Sequence, residues 1–183
     1  MIIGLSGKKG SGKDTCADYL VEKYHFIKIS FADTLKDVCQ LIFQLSPDQL
    51  YGDKKELVDE RWGVSPRLIM QFVGTGLFRN QMSQLIPGIG KEFWIKVLQE
   101  KIKKLLIGNP YANIIIPDCR FINEITFVKN MGGTVFRVNR ESNSNDSHES
   151  ENETDNYSDY NGILNNNKSK EELYAELIKL INI

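Results

Sequence analysis

Gly7, Gly10, Gly12 and Lys13 lie between an apolar run, Ile2-Ile3-Gly4-Leu5-Ser6, and a segment with helical periodicity. A glycine, four residues and then Gly-Lys is the spacing of a phosphate-binding loop, set between a strand and a helix. Glycines let successive backbone N–H groups converge on phosphate oxygens, and the helix that follows presents its positive N-terminus. Gly7, Gly10, Ser11 and Gly12 are therefore read as the cradle, and Lys13 as the bridge to the terminal phosphates of a nucleoside triphosphate. Asp14 stands where a Ser or Thr usually holds Mg²⁺, with Thr15 after it, and carboxylate oxygen suits that metal. Lys8 and Lys9 lie inside the loop; Lys9 is the preferred partner for a phosphate or a carboxylate, against plain exposure to solvent. The alternative, a flexible turn ahead of an ordinary helix, fits less well because strand and helix fall where the motif needs them.

Such a loop does not by itself separate kinases from GTPases or motor ATPases. No Asn-Lys-x-Asp element is present, since Asn167-Lys168-Ser169-Lys170 lacks its aspartate. Arginines are offered instead: Arg67, Arg79, Arg120, Arg137 and Arg140. Phosphoryl transfer between two anions needs several positive groups to hold the acceptor and spread the charge. Asp118 ends an Ile-rich run two residues before Arg120, which reads as a metal-side carboxylate plus an acceptor clamp or, more simply, as a strand-end salt bridge. Trp94 and Phe72 are candidates to stack on a base, although aromatic residues at helical spacing are more often core. His148 lies in a polar stretch and reads as surface.

Those groups require positioning elements. Residues 14–24 carry Cys16, Leu20 and Tyr24 at intervals of four, one helical face, and 26–30 is a short strand candidate. Asp33 or Thr34 caps a helix through Leu35, Val38, Cys39 and Ile42. Residues 46–64 are polar and turn-rich. Ser65-Pro66 starts a helix that should end at Gly74-Thr75-Gly76. A long amphipathic helix follows through Trp94, Val97, Leu98, Ile102 and Leu105. Ile114-Ile115-Ile116 is a buried parallel strand, 121–131 a helix closed by Gly132-Gly133, 134–139 a strand, and Ile163-Leu164 a last short one. Ser169 and Glu172 make a capping box for the final helix.

Five strands alternating with helices predict an α/β fold: a five-stranded, parallel, doubly wound sheet of the P-loop NTPase type, with a helical substrate-side insertion and a lid. At 183 residues and 41% hydrophobic content, a single domain is expected. Its core would be 1–45 and 110–183, the insertion about 46–109, and the lid about 140–160, where 141–159 holds no aliphatic side chain. The formal charge of -1 argues against a nucleic-acid polymer or a polybasic membrane anchor. Cys16, Cys39 and Cys119 form neither an even disulfide framework nor a zinc pair, so reduced thiols and a cytoplasmic location are expected, the host cytoplasm if the chain is viral.

The combination of motifs resembles the deoxynucleoside monophosphate kinases of large DNA bacteriophages and large DNA viruses. It rests on Ser6-Gly7-Lys8-Lys9-Gly10-Ser11-Gly12-Lys13-Asp14-Thr15, Ser30-Phe31-Ala32-Asp33-Thr34-Leu35-Lys36, and Ser65-Pro66-Arg67 with Gln71-Phe72-Val73-Gly74-Thr75. It continues in Asp118-Cys119-Arg120-Phe121-Ile122-Asn123-Glu124, Arg137-Val138-Asn139-Arg140 and Asp146-Ser147-His148-Glu149-Ser150-Glu151. The resemblance implies transfer of the γ-phosphate of ATP, with Mg²⁺, to a deoxynucleoside monophosphate, dTMP and dGMP first. It assigns Gly7, Lys9, Gly10, Ser11, Gly12, Lys13, Asp14, Thr15 and Arg137 to ATP, and Asp14 to the metal. Asp33, Lys36, Arg67, Gln71, Thr75, Arg79, Trp94, Asp118 and Arg120 fall on the acceptor side. Lys13, Asp14, Arg120 and Arg140 would be the catalytic set, and Arg137 and Arg140 would belong to the lid. Family members often have Glu where this chain has Gly76, and the lid here is rich in Asn and Ser. Related enzymes form homodimers, to which the helix bearing Trp94 has enough apolar length to contribute, although a monomer would bury the same stripe. Two other readings are a kinase of another phosphorylated metabolite, such as phosphomevalonate, and a nucleotide-binding regulatory module without turnover.

Overall fold

A computed structural model describes residues 1–141 and 153–183. It divides into two compact units, Met1–Ser30 with Lys101–Ile183, and Phe31–Glu100. The first is built on five parallel strands: β1 (Ile2–Ser6), β2 (Ile27–Lys28), β3 (Ile114–Ile116), β4 (Thr134–Asn139) and β5 (Gly162–Asn165), in the order β2-β3-β1-β4-β5. β1 is central, pairing Gly4 with Ile116 on one side and Ser6 with Arg137 on the other. That register sets the ends of three strands around whatever follows Ser6. The five-stranded parallel expectation is met.

Alternation along β1 explains the layers. Ile3 and Leu5 point into a cluster with Cys16, Ala17 and Leu20 of α1 (Lys13–Tyr24) and Leu173, Leu177 and Ile181 of α7 (Lys170–Ile181). Gly4 points the other way, toward Val128 of α6 (Ile122–Asn130) and the Cys119 thiol, where an added Cβ would lie 3.0 Å from sulfur. Helices therefore cover both faces, and the three central isoleucines of β3 are fully buried, as two-sided burial of a parallel strand requires. The expected strand over 26–30 is reduced to two paired residues because β2 is an edge. Ile29 N–H still bonds the Ile115 carbonyl at 3.0 Å just beyond it. All three cysteines are free and buried, and burial pushes the Cys16 thiol up to about 12 and Cys39 to about 11.

The second unit holds α2 (Ala32–Phe43), α3 (Pro47–Tyr51) and α4 (Pro66–Gln71), around Cys39, Leu45, Leu50, Ile69, Met70 and Val73. α5 (Phe93–Gly108) carries the chain back to the first unit. The polar stretch 46–64 is more ordered than its composition suggests. Ser46 and Gln49 form a capping box on α3, and buried Asp59 accepts from Arg61 and Gln49. The Arg61 guanidinium beside Asp59 holds its carboxyl well below the usual range.

The helix begun at Ser65-Pro66 does not stop at the glycines as expected. It widens into a π-helical stretch over Phe72–Arg79, with Asn80 N–H reaching back to the Thr75 carbonyl at 3.0 Å. A Cβ at Gly74 would come within 2.7 Å of Leu35 Cδ2, so glycine there permits close packing on α2 rather than ending the helix. Among the described residues, no helix is long and apolar enough to cross a membrane.

Candidate active site

The loop between β1 and α1 has the backbone its glycines require. Gly7, Gly10 and Gly12 all have positive φ, at 140°, 76° and 106°. Gly12, in the left-handed region, leads directly into α1, so the first-turn N–H groups of that helix open onto the loop. The Lys13 side chain is folded inward, its ammonium donating to the carbonyls of Gly7 at 2.6 Å and Lys8 at 2.7 Å. This places the charge at the Gly7–Lys8 end of the loop. Lys13 is buried, as is Ser11, so the cation is sheltered from bulk screening.

A cavity of about 280 Å³ opens over the loop, lined among others by Gly12, Lys13, Asp14, Thr15, Arg140 and Asn166. Lys168 and Lys170 add two ammonium groups to its wall, Lys168 also meeting Glu172 at 3.3 Å. In the sequence the β5–α7 turn shows an incomplete guanine element and the Ser169 capping box, and neither marks it as part of the site. Its signal is modest: two lysines beside a capped helix start. Asn166 ties that turn to the loop. Its amide donates to the Ser11 carbonyl at 2.8 Å while its own N–H bonds the Asn139 carbonyl at 2.7 Å. A Cβ on Gly12 would collide with the Asn166 amide nitrogen, so loop and turn are mutually fitted. Asn166→Ala is expected to weaken triphosphate affinity about three- to ten-fold, the worth of one net hydrogen bond. Titration with a fluorescent nucleotide checks this, and unchanged affinity would contradict it.

Asp14 lies at the start of α1 with its carboxylate largely exposed. Lys28 reaches it at 2.8 Å and Asp18 at 2.9 Å. Burial works against the Lys28 charge, but the two carboxylates outweigh it and hold the ammonium above its ordinary pKa. Asp118 follows β3 directly, and the Cys119 N–H bonds the Leu5 carbonyl at 3.0 Å, which pins this turn beside the end of β1. Buried Glu124 accepts the backbone N–H groups of Arg120 at 2.8 Å and Phe121 at 3.2 Å, fixing the bend that carries Arg120. The Cys119 thiol is pushed well above its ordinary pKa by burial, then by Glu124 and Asp118, while Lys13 opposes them. No role for Glu124 is legible in the sequence; its burial and two backbone bonds supply one.

Arg137 sits opposite Ser6 on β4 and is largely enclosed. It donates to Asn139 Oδ1 at 2.9 Å, to the Thr154 carbonyl at 2.7 Å and to the Tyr160 hydroxyl at 3.4 Å. Arg140 is exposed on the cavity rim. Of the expected lid, 142–152, including His148 and the motif 146–151, lies outside the described residues. The remainder, 153–159, is tied down: Glu153 accepts the Ile122 N–H at 3.0 Å, and Lys129 meets Asp159 Oδ2 at 2.8 Å. Asp155 bonds Lys8 at 3.0 Å, so this carboxylate goes to the neighbour of the preferred Lys9, which is itself exposed.

The remaining acceptor-side candidates lie in the second unit. Arg67, Gln71, Thr75 and Arg79 recur every four residues along α4 and its π-helical continuation. Four residues slightly overshoot one α-helical turn and fall short of one wider turn, so the change of pitch keeps the four near one face. Arg67 meets Glu56 at 3.6 Å, and buried Arg79 donates to the Lys91 carbonyl at 3.4 Å. Lys36 lies 4.0 Å from the Tyr51 ring centroid, and Asp33 is in the first turn of α2. Trp94 corrects the base-stacking expectation. Its ring is buried against Phe78 and Phe93, and its indole N–H bonds the Gly74 carbonyl at 2.8 Å, which makes it core.

Comparison with known proteins agrees with this geometry. A model of the deoxynucleotide monophosphate kinase family matches residues 1–59 and 52–177. A provisionally named deoxynucleotide monophosphate kinase of Acanthamoeba polyphaga mimivirus is 40% identical over 186 residues, covering 100% of this chain and 96% of that protein. The deoxynucleotide monophosphate kinase of Enterobacteria phage T4 is 23% identical over 250 residues, covering 100% and 99%. Among solved structures, a sugar kinase from Janibacter sp. and TT1252 from Thermus thermophilus each align with TM-score 0.52. Their identities are 11% and 16%, with 100% of this chain and 94% and 96% of theirs covered, so they speak to the fold alone. A loop with this spacing and backbone, on the central strand of a parallel sheet, and matches reaching from end to end place the chain in the deoxynucleotide monophosphate kinase family.

Proposed function

We propose that the protein transfers the γ-phosphate of ATP to a deoxynucleoside monophosphate, dTMP and dGMP first among acceptors, releasing the diphosphate and ADP. The observation that carries the reading is the cradle after β1, with the Lys13 ammonium sheltered at its head and Arg140, Lys168 and Lys170 around its mouth. Phosphoryl transfer asks little covalent chemistry of the protein; positioning and charge neutralisation do the work. The loop N–H groups would bind the triphosphate, and Lys13 would leave the Gly7 and Lys8 carbonyls to follow the terminal phosphate. Arg137 and Arg140 would neutralise charge from the β4 side. Arg120, held by Glu124, would hold the acceptor.

Mg²⁺ fits the donor set. The exposed Asp14 carboxylate and the Thr15 hydroxyl share the cavity wall with Lys13, and this ion is usually held by one or two carboxylates plus substrate phosphates and water. When bound it would neutralise phosphate charge. Asp14 and Thr15 would hold it, with Lys28 setting the rotamer of Asp14.

A coupled ADP-release assay across the common nucleoside monophosphates, phosphomevalonate and no acceptor tests the proposal. Release above the no-acceptor rate with deoxynucleoside monophosphates is expected. Stimulation by phosphomevalonate alone, or by nothing, contradicts it.

A further inference from the structure

The geometry points to a second anion subsite, formed by Lys8 and Arg137 for the terminal phosphate of the triphosphate and occupied by the protein's own Asp155 when no nucleotide is bound. This rests on the nucleotide reading above. Asp155 Oδ2 lies 3.0 Å from the Lys8 ammonium and Oδ1 lies 3.4 Å from Arg137 Nη2. One carboxylate thus bridges a cation of the phosphate loop and a cation of the neighbouring strand. Lys8 follows Gly7, and the Lys13 ammonium sits on the carbonyls of those two residues. Since Lys13 is the group that reaches the outer phosphates, the Lys8–Arg137 pair stands at their end of the loop. Lys13 on the loop carbonyls and Lys8 on Asp155 thus gather two cations at one end of the loop.

The Asp155 contact is not what holds its segment down. Thr154 is buried and its carbonyl takes Arg137 Nη1 at 2.7 Å, the Tyr160 hydroxyl donates to Ser6 Oγ at 3.3 Å, and Lys129 and Ile122 hold Asp159 and Glu153. Arg137 also keeps its bond to Asn139. Removing the Asp155 charge should therefore leave the segment and the guanidinium in place and free both cations. The Asp155 side chain is 32% exposed and that of Lys8 43%, so the carboxylate can swing into solvent when a phosphate arrives. The terminal phosphate group carries more negative charge than the carboxylate and can bridge the same two cations, so exchange is favourable.

Binding of ADP and of a non-hydrolysable ATP analogue to wild type, Asp155→Asn and Asp155→Ser tests this, by calorimetry with thermal melts as fold control. Pairs of this exposure are each worth at most a factor of about five, so the variants should bind the triphosphate analogue about three- to ten-fold more tightly. The gain for ADP should be smaller, because ADP lacks the phosphate that meets the pair. Lys8→Met should weaken analogue binding more in the Asp155→Asn background than in wild type, where Lys8 is already engaged. Equal or weaker analogue binding by both variants would make Asp155 a support for Arg137 and overturn the inference. An equal gain for ADP would overturn the terminal-phosphate assignment. No binding of either nucleotide by any of the proteins would overturn the nucleotide reading itself, and the inference with it.

Discussion

Lys13→Ala should lower turnover by about 10²–10³-fold, the scale on which enzymes lose a preorganised charge at a transition state. Lys13 is buried at the head of the loop and bonds the Gly7 and Lys8 carbonyls, so its ammonium is already confined there and would lose little freedom in turning to a terminal phosphate. Fold loss is not expected, because truncation removes a cation that burial disfavours and leaves two carbonyls able to take water. Steady-state kinetics beside a thermal melt separates the two effects. Turnover within a few-fold of wild type in a folded variant would remove Lys13 from the chemistry.

Gly7→Ala should damage both fold and activity. At φ 140° an L side chain is strained, and the added Cβ would collide with the Val138 carbonyl oxygen and come 2.9 Å from Ser11 Oγ. Val138 belongs to β4, which is paired on both sides and cannot retreat. A cost of about 1–3 kcal/mol is expected from strain, with overpacking adding to it. The displaced loop should lose triphosphate affinity by at least about tenfold. Gly10→Ala provides the contrast: nothing lies within 4 Å of its added Cβ, so only the positive φ of 76° resists it. Melting temperature and nucleotide titration for both variants check the order. A Gly7→Ala protein as stable and as tight-binding as Gly10→Ala would contradict the packing account.

Local signals explain which parts of the molecule could be read in advance. The cradle, β3 and the Ser169 capping box were legible because each depends on neighbours within a few residues: glycine spacing, an unbroken apolar run, a hydroxyl three residues before a carboxylate. The π-helical stretch over Phe72–Arg79 was hidden, since Gly74 reads as a helix end unless its contact with Leu35 is known. The same holds for Trp94, whose burial depends on Phe78, Phe93 and the Gly74 carbonyl. Lys168, Lys170 and Asn166 reach the loop only because β4 lies between β1 and β5, an arrangement that brings residues 155 positions apart into hydrogen bond. The choice of Lys8 over Lys9 as the partner of Asp155 is likewise a matter of where the loop turns, which side-chain type does not encode.

Under the proposed function this cradle serves transfer to a second nucleotide rather than to water. Incubating the enzyme with γ-labelled ATP, Mg²⁺ and either dTMP or dGMP, then separating the products by chromatography, follows the phosphoryl group itself. Label in the deoxynucleoside diphosphate, dependent on acceptor and lost in Lys13→Ala, is the predicted result. Label found only as inorganic phosphate, or retained in ATP with every deoxynucleoside monophosphate, would contradict it.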